Sequence, residues 1–219
     1  LRFISRIHPV CIVWDNDKKN TMNPIKTVRI TVTTIDLGQD PKPETLAAIA
    51  DWLARADYKL IRPLDIRSAY CAEPPQEKLI TVAVLDTETT GTQPSKDKII
   101  ELGIVLVEIS PETGQAYRIT RVFNELEDPG FPIPEESTRI HHITDDMVAA
   151  KRIDDSALEA LMTDVALVVA HNAGFDRIFV EQRFPLFAAK PWACSFMQIP
   201  WSEEGFGSAK LEFLAYQCG

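Results

Sequence analysis

The sequence lacks a cysteine framework. Its four cysteines, Cys11, Cys71, Cys194 and Cys218, are far apart and form no C-x-x-C pair. Disulfide scaffolds and cysteine zinc sites both show closer, regular spacing. The sequence therefore predicts a reducing compartment, and we expect a cytoplasmic protein. It also has no run of eighteen apolar residues, so we expect no membrane-spanning helix and no membrane partner.

Positive charge is scarce as well. The 219 residues include 23 Lys and Arg against 32 Asp and Glu, which gives a net charge of −9. This balance argues against a protein that coats long nucleic acid with a basic face. It leaves open a protein that grips one strand end through metal ions. The 45% hydrophobic content is typical of a globular chain.

The amino-terminal part carries weaker signals. The chain starts at Leu1, and Met22 is a candidate start, so residues 1–21 are expected to be a non-native leader. Residues 22–78 are predicted to form a small α/β extension and linker. Within it, the pattern indicates a strand at 25–36, an amphipathic helix at 41–56, a short strand at 58–64 and a proline-rich linker at 71–78.

The pattern changes at residue 79, where a second domain, 79–219, is predicted to begin. Apolar runs indicate three strands joined as an antiparallel meander, with the turn PETG before the third. These strands are placed at 79–86, 98–110 and 115–126. Helices at 154–165, 174–184 and 208–218 and a strand at 166–170 follow. Helices on a mixed sheet define an α/β domain.

The first strand of this domain ends in two acids within LITVAVLDTETTG. Asp86 and Glu88 are two residues apart, so a strand places both on one face. They lie at its carboxyl end, a usual position for α/β active sites. The alternative is a solvated strand end with two ordinary surface acids.

A third acid follows a later strand, in VVAHNAGFD. Asp176 falls in the first turn of a predicted helix, where it could also merely complement the helix dipole. Asn172 could likewise be a simple helix cap. Together with the first pair, these oxygen donors suit Mg²⁺ or Mn²⁺. Two such ions about 4 Å apart can clamp the attacking and leaving oxygens of a phosphodiester.

These segments carry a family resemblance. VLDTETTG, KIIELGIV and HNAGFD resemble motifs of the DEDDh 3′-to-5′ exonucleases, the family of the epsilon proofreading subunit of bacterial DNA polymerase III. The resemblance covers residues 79–219. It implies a ribonuclease H-like mixed sheet flanked by helices, preceded here by the small N-terminal α/β extension.

The resemblance also implies roles for individual residues. Asp86, Glu88 and Asp176 would be catalytic, as three of the four acidic ligands of two Mg²⁺ or Mn²⁺ ions. The positions of the family that contact the terminal nucleotide match six residues of this sequence: Thr87, Thr89, His141, Ile143, Asn172 and Phe175. The family usually has glycine at His142, and Glu101 matches a common glutamate that is not a ligand.

One part of the family pattern is missing. The resemblance implies a general-base histidine and a fourth aspartate after the last helix, in a pattern like H-x-A-x-x-D. The sequence reaches Gly219 where that segment should begin. We therefore expect a truncated exonuclease domain that is inactive by itself.

The implied function is hydrolysis at the 3′ end of single-stranded DNA, in proofreading or repair, with DNA polymerase subunits as candidate partners. RNA trimming on the same scaffold and a catalytically inactive binding module remain alternatives. In a full-length version, alanine at Asp86 or Asp176 is expected to abolish metal-dependent activity and to leave folding intact or improved, because it relieves like-charge repulsion.

Overall fold

A computed structural model describes residues 77–218, residues 11–12, 32–33 and 69–71, and five single positions between 44 and 55. The chain divides into two compact units, one comprising Arg2–Asp65 with the last two residues, the other comprising Ile66–Gln217 with Leu1.

In the first unit, β1 (Cys11–Ile12) pairs antiparallel with β2 (Val32–Thr33). Five further residues are helical: Glu44, Ala47, Ala48, Asp51 and Arg55. At these positions the strand predicted at 25–36 and the helix predicted at 41–56 are confirmed. The strand predicted at 58–64 and most of the expected leader, 1–21, lie outside the described residues.

The second unit is a five-stranded sheet with helices. Its strands are β3 (Ile80–Thr89), β4 (Ile99–Ile109), β5 (Ala116–Leu126), β6 (Val165–Ala170) and β7 (Trp192–Cys194). Its helices are α1 (Glu135–His141), α2 (Asp145–Val148), α3 (Asp155–Met162), α4 (Ala173–Arg183) and α5 (Leu211–Cys218), with a 3-10 helix at Pro185–Ala189. In the part of the chain that the structure describes, no helix combines the length and apolar character needed to cross a membrane.

The sheet order is β5-β4-β3-β6-β7. The first three strands pair antiparallel, as the predicted meander requires, and β6 and β7 add in parallel to β3. This arrangement confirms the α/β class and the ribonuclease H-like mixed sheet. The sequence pattern missed β7, α1 and α2, which at three, seven and four residues are too short to show a clear period.

The core lies against one face of β3 and β4. Ala83 and Leu85 of β3 pack with the apolar residues of α3 and α4, among them Leu158 and Phe179, and all four are buried. Successive strand residues point to opposite faces. Asp86 and Glu88 therefore lie on the face opposite to Ala83 and Leu85, at the end of a strand that the core holds in place.

The outer edge of β5 is partly covered by the residues that precede the sheet. Tyr70 donates its N–H to the carbonyl of Tyr117 (2.7 Å), and Ala69 forms an antiparallel bridge with Arg118. The Cys71 thiol donates to the carbonyl of Ala116 at 3.2 Å. The domain boundary predicted between residues 78 and 79 stays a prediction, but pairing with the sheet begins upstream of it.

Lys190 connects the carboxyl end of α3 to the start of β6. Its ammonium donates to the carbonyls of Met162 (2.6 Å), Val165 (3.0 Å) and Thr163 (3.4 Å). A cation there complements the helix dipole and satisfies orphan carbonyls. We expect Lys190→Met to lower the free energy of unfolding by about 1–2 kcal/mol in urea denaturation. Lys190→Arg should recover part of the loss; equal stability of all three proteins would contradict this role.

Candidate active site

A third carboxylate, on the neighbouring strand β4, lies beside the two acids of β3. Glu88 lies directly opposite Glu101 of β4, and Asp86 lies opposite Gly103. Directly opposed residues of an antiparallel pair share a face. The register therefore confirms the predicted shared face of Asp86 and Glu88 and adds Glu101 to it.

The third predicted acid, Asp176, is tied to the same strand. It lies in the first turn of α4 and is only 2% exposed. Its Oδ1 accepts hydrogen bonds from the backbone N–H of Thr87 (3.0 Å) and from the Thr87 hydroxyl (2.8 Å). Thr87 is itself buried. Although Thr87 also lines the pocket described below, its hydroxyl is directed at Asp176, so its clearest role is to hold that carboxylate.

The electrostatics show that these acids are close neighbours. Burial, together with the negative charges of Asp176, Glu88 and Glu101 in that order of effect, raises the pKa of Asp86 to about 8. Burial also raises the pKa of Asp176, while the hydrogen bonds from Thr87 oppose the rise. A site with this much crowded negative charge favours protons or a bound cation.

The donor chemistry of this group fits a hard divalent ion. Asp86, Glu88 and Asp176 offer only oxygen donors, the ligands that Mg²⁺ and Mn²⁺ prefer. However, among the residues that the structure describes, no three His, Cys, Asp or Glu side chains already stand close enough to hold an ion. Binding therefore requires side-chain rotation, which is consistent with mutual repulsion of the acids.

Glu101 is the acid whose contribution the sequence did not indicate. It is 4% exposed, and its Oε1 accepts a hydrogen bond from the Asn124 side-chain amide at 3.0 Å. The quoted segment KIIELGIV contains it, but only the β3–β4 register shows that it opposes Glu88.

A pocket of about 170 Å³ lies beside the acids. Its lining residues are Thr87, Glu88, Thr89, Gly91, Thr92, Ser137, Ile140, His141 and Phe175. The pocket lining thus includes five of the predicted site residues: Thr87, Glu88, Thr89, His141 and Phe175. The Ser137 hydroxyl donates to the carbonyl of Thr90 (2.7 Å), which fixes α1 against the turn after β3.

The predicted contact residue Ile143 is not in this pocket. It is fully buried in a small apolar cluster with Ile100, Ile133 and Val148, so it presents no surface to a base. Ile140, which is 79% exposed, lines the pocket instead. After the turn that follows α1, the Ile143 side chain packs into the interior, where its role is structural.

His141, in contrast, is one of the residues that line the pocket. Its Nδ1 accepts the backbone N–H of Ile143 at 3.0 Å. In the neutral ring the proton therefore sits on Nε2. The side chain is nearly buried and forms part of the pocket wall.

The remaining predicted residues divide between packing and the pocket. Phe175 lines the pocket and also packs on Phe179, with ring centroids 5.0 Å apart. Thr89 donates its hydroxyl to the carbonyl of Gly91 at 2.7 Å. Asn172 is exposed, in the left-handed region at φ 65°, and its side chain makes no capping hydrogen bond. Asn172 therefore occupies the N-cap position of α4 without a capping bond from its side chain, and it is not among the pocket residues.

Gly91 permits a close approach within the turn after β3. A Cβ at this position would lie 2.6 Å from Oδ2 of Asp97, which accepts the backbone N–H of Gln93. We expect Gly91→Ala to lower the free energy of unfolding by about 1–3 kcal/mol, because the turn must shift. Thermal unfolding tests this, with Gly174→Ala as the control, since nothing lies within 4 Å of a Cβ there. Equal melting temperatures for both variants would contradict the expectation.

Comparison with known proteins identifies the class of this domain. The family model described as "Exonuclease" (RNase_T) matches residues 83–205, more than half of the chain. The chain belongs to this exonuclease family, and the predicted resemblance is confirmed.

The names of several relatives refer to DNA polymerase III. The chain is 40% identical over 116 residues to a DNA polymerase III subunit epsilon-like protein of Rhodobacter capsulatus, covering 51% of this chain and 16% of that protein. It is 32% identical over 114 residues to the DNA polymerase III subunit epsilon of Treponema pallidum, covering 51% and 50%. It is 35% identical over 119 residues to a PolC-type DNA polymerase III of Lacticaseibacillus paracasei, covering 53% and 8%. This chain thus spans at most half of these relatives.

Solved structures show more distant likenesses. Exonuclease X in complex with 5′ overhanging duplex DNA is 24% identical, with a TM-score of 0.38, over 58% of this chain and 75% of that chain. A zinc-bound complex of Escherichia coli exonuclease I with single-stranded DNA is 17% identical, with a TM-score of 0.47, over 63% and 35%. At these TM-scores neither likeness carries an argument about this chain.

Proposed function

We propose that this domain removes nucleotides from the 3′ end of single-stranded DNA, with two Mg²⁺ or Mn²⁺ ions held by Asp86, Glu88 and Asp176. The observation that carries the proposal is a group of carboxylates around Asp86, whose pKa is raised to about 8 by burial and then by these neighbouring charges, beside a pocket of about 170 Å³. Membership of the exonuclease family supports it.

The chain's own residues have distinct tasks in this proposal. Asp86 and Glu88 would hold the ions from β3, and Asp176 from α4. Bound ions would activate water and neutralise the charge that develops on a phosphodiester. Thr87 keeps Asp176 in place through its two hydrogen bonds. Because burial and repulsion hold Asp86 protonated near neutral pH, metal binding must displace its proton.

The pocket would bind one nucleotide of the strand. Its volume is below the roughly 300–1,000 Å³ of pockets for drug-sized ligands, so we assign it a single base or sugar. Ile140 and Phe175 supply apolar contact, and the buried His141 forms part of the wall. An unpaired strand end can present such a base without the cost of opening a duplex.

The general base of the family is not among the residues we assign. Loss of a positioned base slows hydrolysis by roughly 10²–10⁴-fold, and metal-activated water retains part of the rate. Activity is therefore best followed over hours, with strand binding measured in parallel.

The test uses a 5′-labelled single-stranded DNA and the whole 219-residue protein. Although the missing third motif predicts a domain that is inactive by itself, metal-activated water retains part of the rate, so we expect slow Mn²⁺-dependent shortening from the 3′ end, which EDTA stops. Faster shortening of a matched RNA would favour the RNA-trimming alternative. Metal-dependent binding with no shortening would favour a binding module, and neither binding nor shortening would overturn the proposal.

Association with a replicative DNA polymerase is a further part of the proposal. Its support is that two relatives are named as a PolC-type DNA polymerase III and as a DNA polymerase III subunit epsilon. Co-elution of the protein with a purified bacterial polymerase catalytic subunit in size-exclusion chromatography tests it; separate elution at micromolar concentration would count against it.

A further inference from the structure

A histidine occupies a backbone position that favours glycine, at the end of helix α1. His142 has φ 59° and ψ 18°, in the left-handed region, and its N–H donates to the carbonyl of Thr138 at 2.7 Å. Glycine adopts this helix-ending conformation without steric cost, whereas a side chain with a Cβ is strained there. Strain of this kind is characteristic of positions where the side chain serves a purpose.

The surroundings of His142 indicate what that purpose is. Ile140 and His141, immediately before it, line the pocket proposed to take the terminal nucleotide. The His142 side chain is exposed, and so is the Arg139 side chain, at 67%. Arg139 makes only a 3.5 Å ion pair with Glu135, which is 85% exposed. Such a surface pair contributes little and leaves the guanidinium available to a ligand.

The negative charge of the acids around Asp86 means that a bound strand needs basic side chains elsewhere along its path. The acids around Asp86 repel a phosphate chain, so a strand that enters the pocket needs cationic contacts on another side. A nearby lysine, Lys98, is already engaged, since its ammonium donates to the carbonyl of Pro129 at 2.9 Å. Arg139 and His142 provide exposed basic side chains at the carboxyl end of the helix that forms a pocket wall.

We propose that Arg139 and His142 bind backbone phosphates of the single strand on the 5′ side of the nucleotide held in the pocket. This inference rests on the proposed function, because it assigns the path of the same substrate. His142 then remains in a strained position because its ring, which glycine lacks, contacts the strand. The contact is with phosphate, so it is independent of base sequence.

The experiment measures binding rather than turnover. A 5′-fluorescent single-stranded DNA with a free 3′ end is titrated with protein in Ca²⁺, and anisotropy is recorded over a series of salt concentrations. We expect Arg139→Ala and His142→Gly each to weaken binding by about 3–10-fold. Arg139→Ala should also reduce the slope of log K against log salt, by roughly 0.7 for one lost cationic contact with a single-strand phosphate.

Two controls separate contact from folding. His142→Asn keeps a residue that tolerates the left-handed region but lacks the imidazole ring, so it should fold normally and bind as weakly as His142→Gly. Arg152→Ala removes another exposed arginine, paired with Asp155 in a similar short-range ion pair, and should bind like the unaltered protein.

The outcomes distinguish this inference from the proposed function. If the unaltered protein binds the strand and both Arg139→Ala and His142→Gly bind it equally well with the same salt slope, the phosphate path is wrong and the proposed function stands. If the unaltered protein binds no strand at any salt concentration, the proposed function fails, and the inference fails with it.

Discussion

Asp86→Asn should stabilise the metal-free protein at pH 8 and abolish metal-dependent hydrolysis. The ordinary pKa of this carboxyl is 3.8, and burial with three neighbouring carboxylates raises it to about 8 in the folded state. Between these two values the folded protein binds the proton and the unfolded chain does not, so stability falls as pH rises. This loss of folding stability is complete above about pH 8. The Asp86→Asn variant does not lose it, because its side chain does not ionise.

The expected gain for Asp86→Asn at pH 8 is about 2 kcal/mol or more, since each pKa unit corresponds to about 1.4 kcal/mol and side-chain relaxation offsets part of it. Urea denaturation at pH 5 and pH 8 in EDTA measures this. The rate of strand shortening should fall roughly 1,000-fold or more. Asp146→Asn, on the exposed start of α2, is the control for both measurements. An unchanged pH dependence of stability in Asp86→Asn would show that the carboxylates are not crowded as described.

Asp176→Ala should also abolish activity, but with the opposite effect on stability. Alanine leaves the buried N–H and hydroxyl of Thr87 without an acceptor, which costs about 1–3 kcal/mol. Asp176→Asn keeps a carbonyl oxygen that can accept both hydrogen bonds and removes the charge. We therefore expect Asp176→Asn to be at least as stable as the unaltered protein.

Chemical denaturation of the two Asp176 variants in EDTA tests this difference directly. Both variants should lose metal-dependent shortening of the strand, so only stability separates them. Equal stability of the alanine and asparagine variants would contradict the hydrogen-bonding role of Asp176. The sequence predicted that alanine at either aspartate would leave folding intact or improve it, and the structure corrects this expectation for Asp176.

The sequence could predict what depends on local periodicity. Alternation in β3 gave the shared face of Asp86 and Glu88, and the register with β4 confirms it. The helix start at Asp154 is confirmed too, since its side chain accepts the N–H groups of Ser156 and Ala157. These features each depend on a few neighbouring residues, so a single sequence contains the information.

Features that depend on tertiary contact were not predictable in this way. The bond between Thr87 and Asp176 joins residues that lie 89 positions apart. Ile143 was predicted to contact the nucleotide, but Ile140 lines the pocket instead. The left-handed turn at His142 separates the two residues, and beyond it the Ile143 side chain is buried. The predicted meander makes β3 and β4 neighbours, but periodicity does not fix the register between them, so it did not reveal that Glu101 opposes Glu88.

Binding of Mn²⁺, followed by isothermal titration calorimetry at pH 7, tests the central claim most directly. The account predicts that the unaltered protein binds Mn²⁺ and releases close to one proton per protein, because Asp86 is protonated beforehand. Titrations in two buffers with different ionisation enthalpies reveal the proton. Asp86→Asn should bind Mn²⁺ at least tenfold more weakly and without that release. If the unaltered protein binds no Mn²⁺, or if Asp86→Asn binds it equally well, then the carboxylates at the end of β3 are not a metal site.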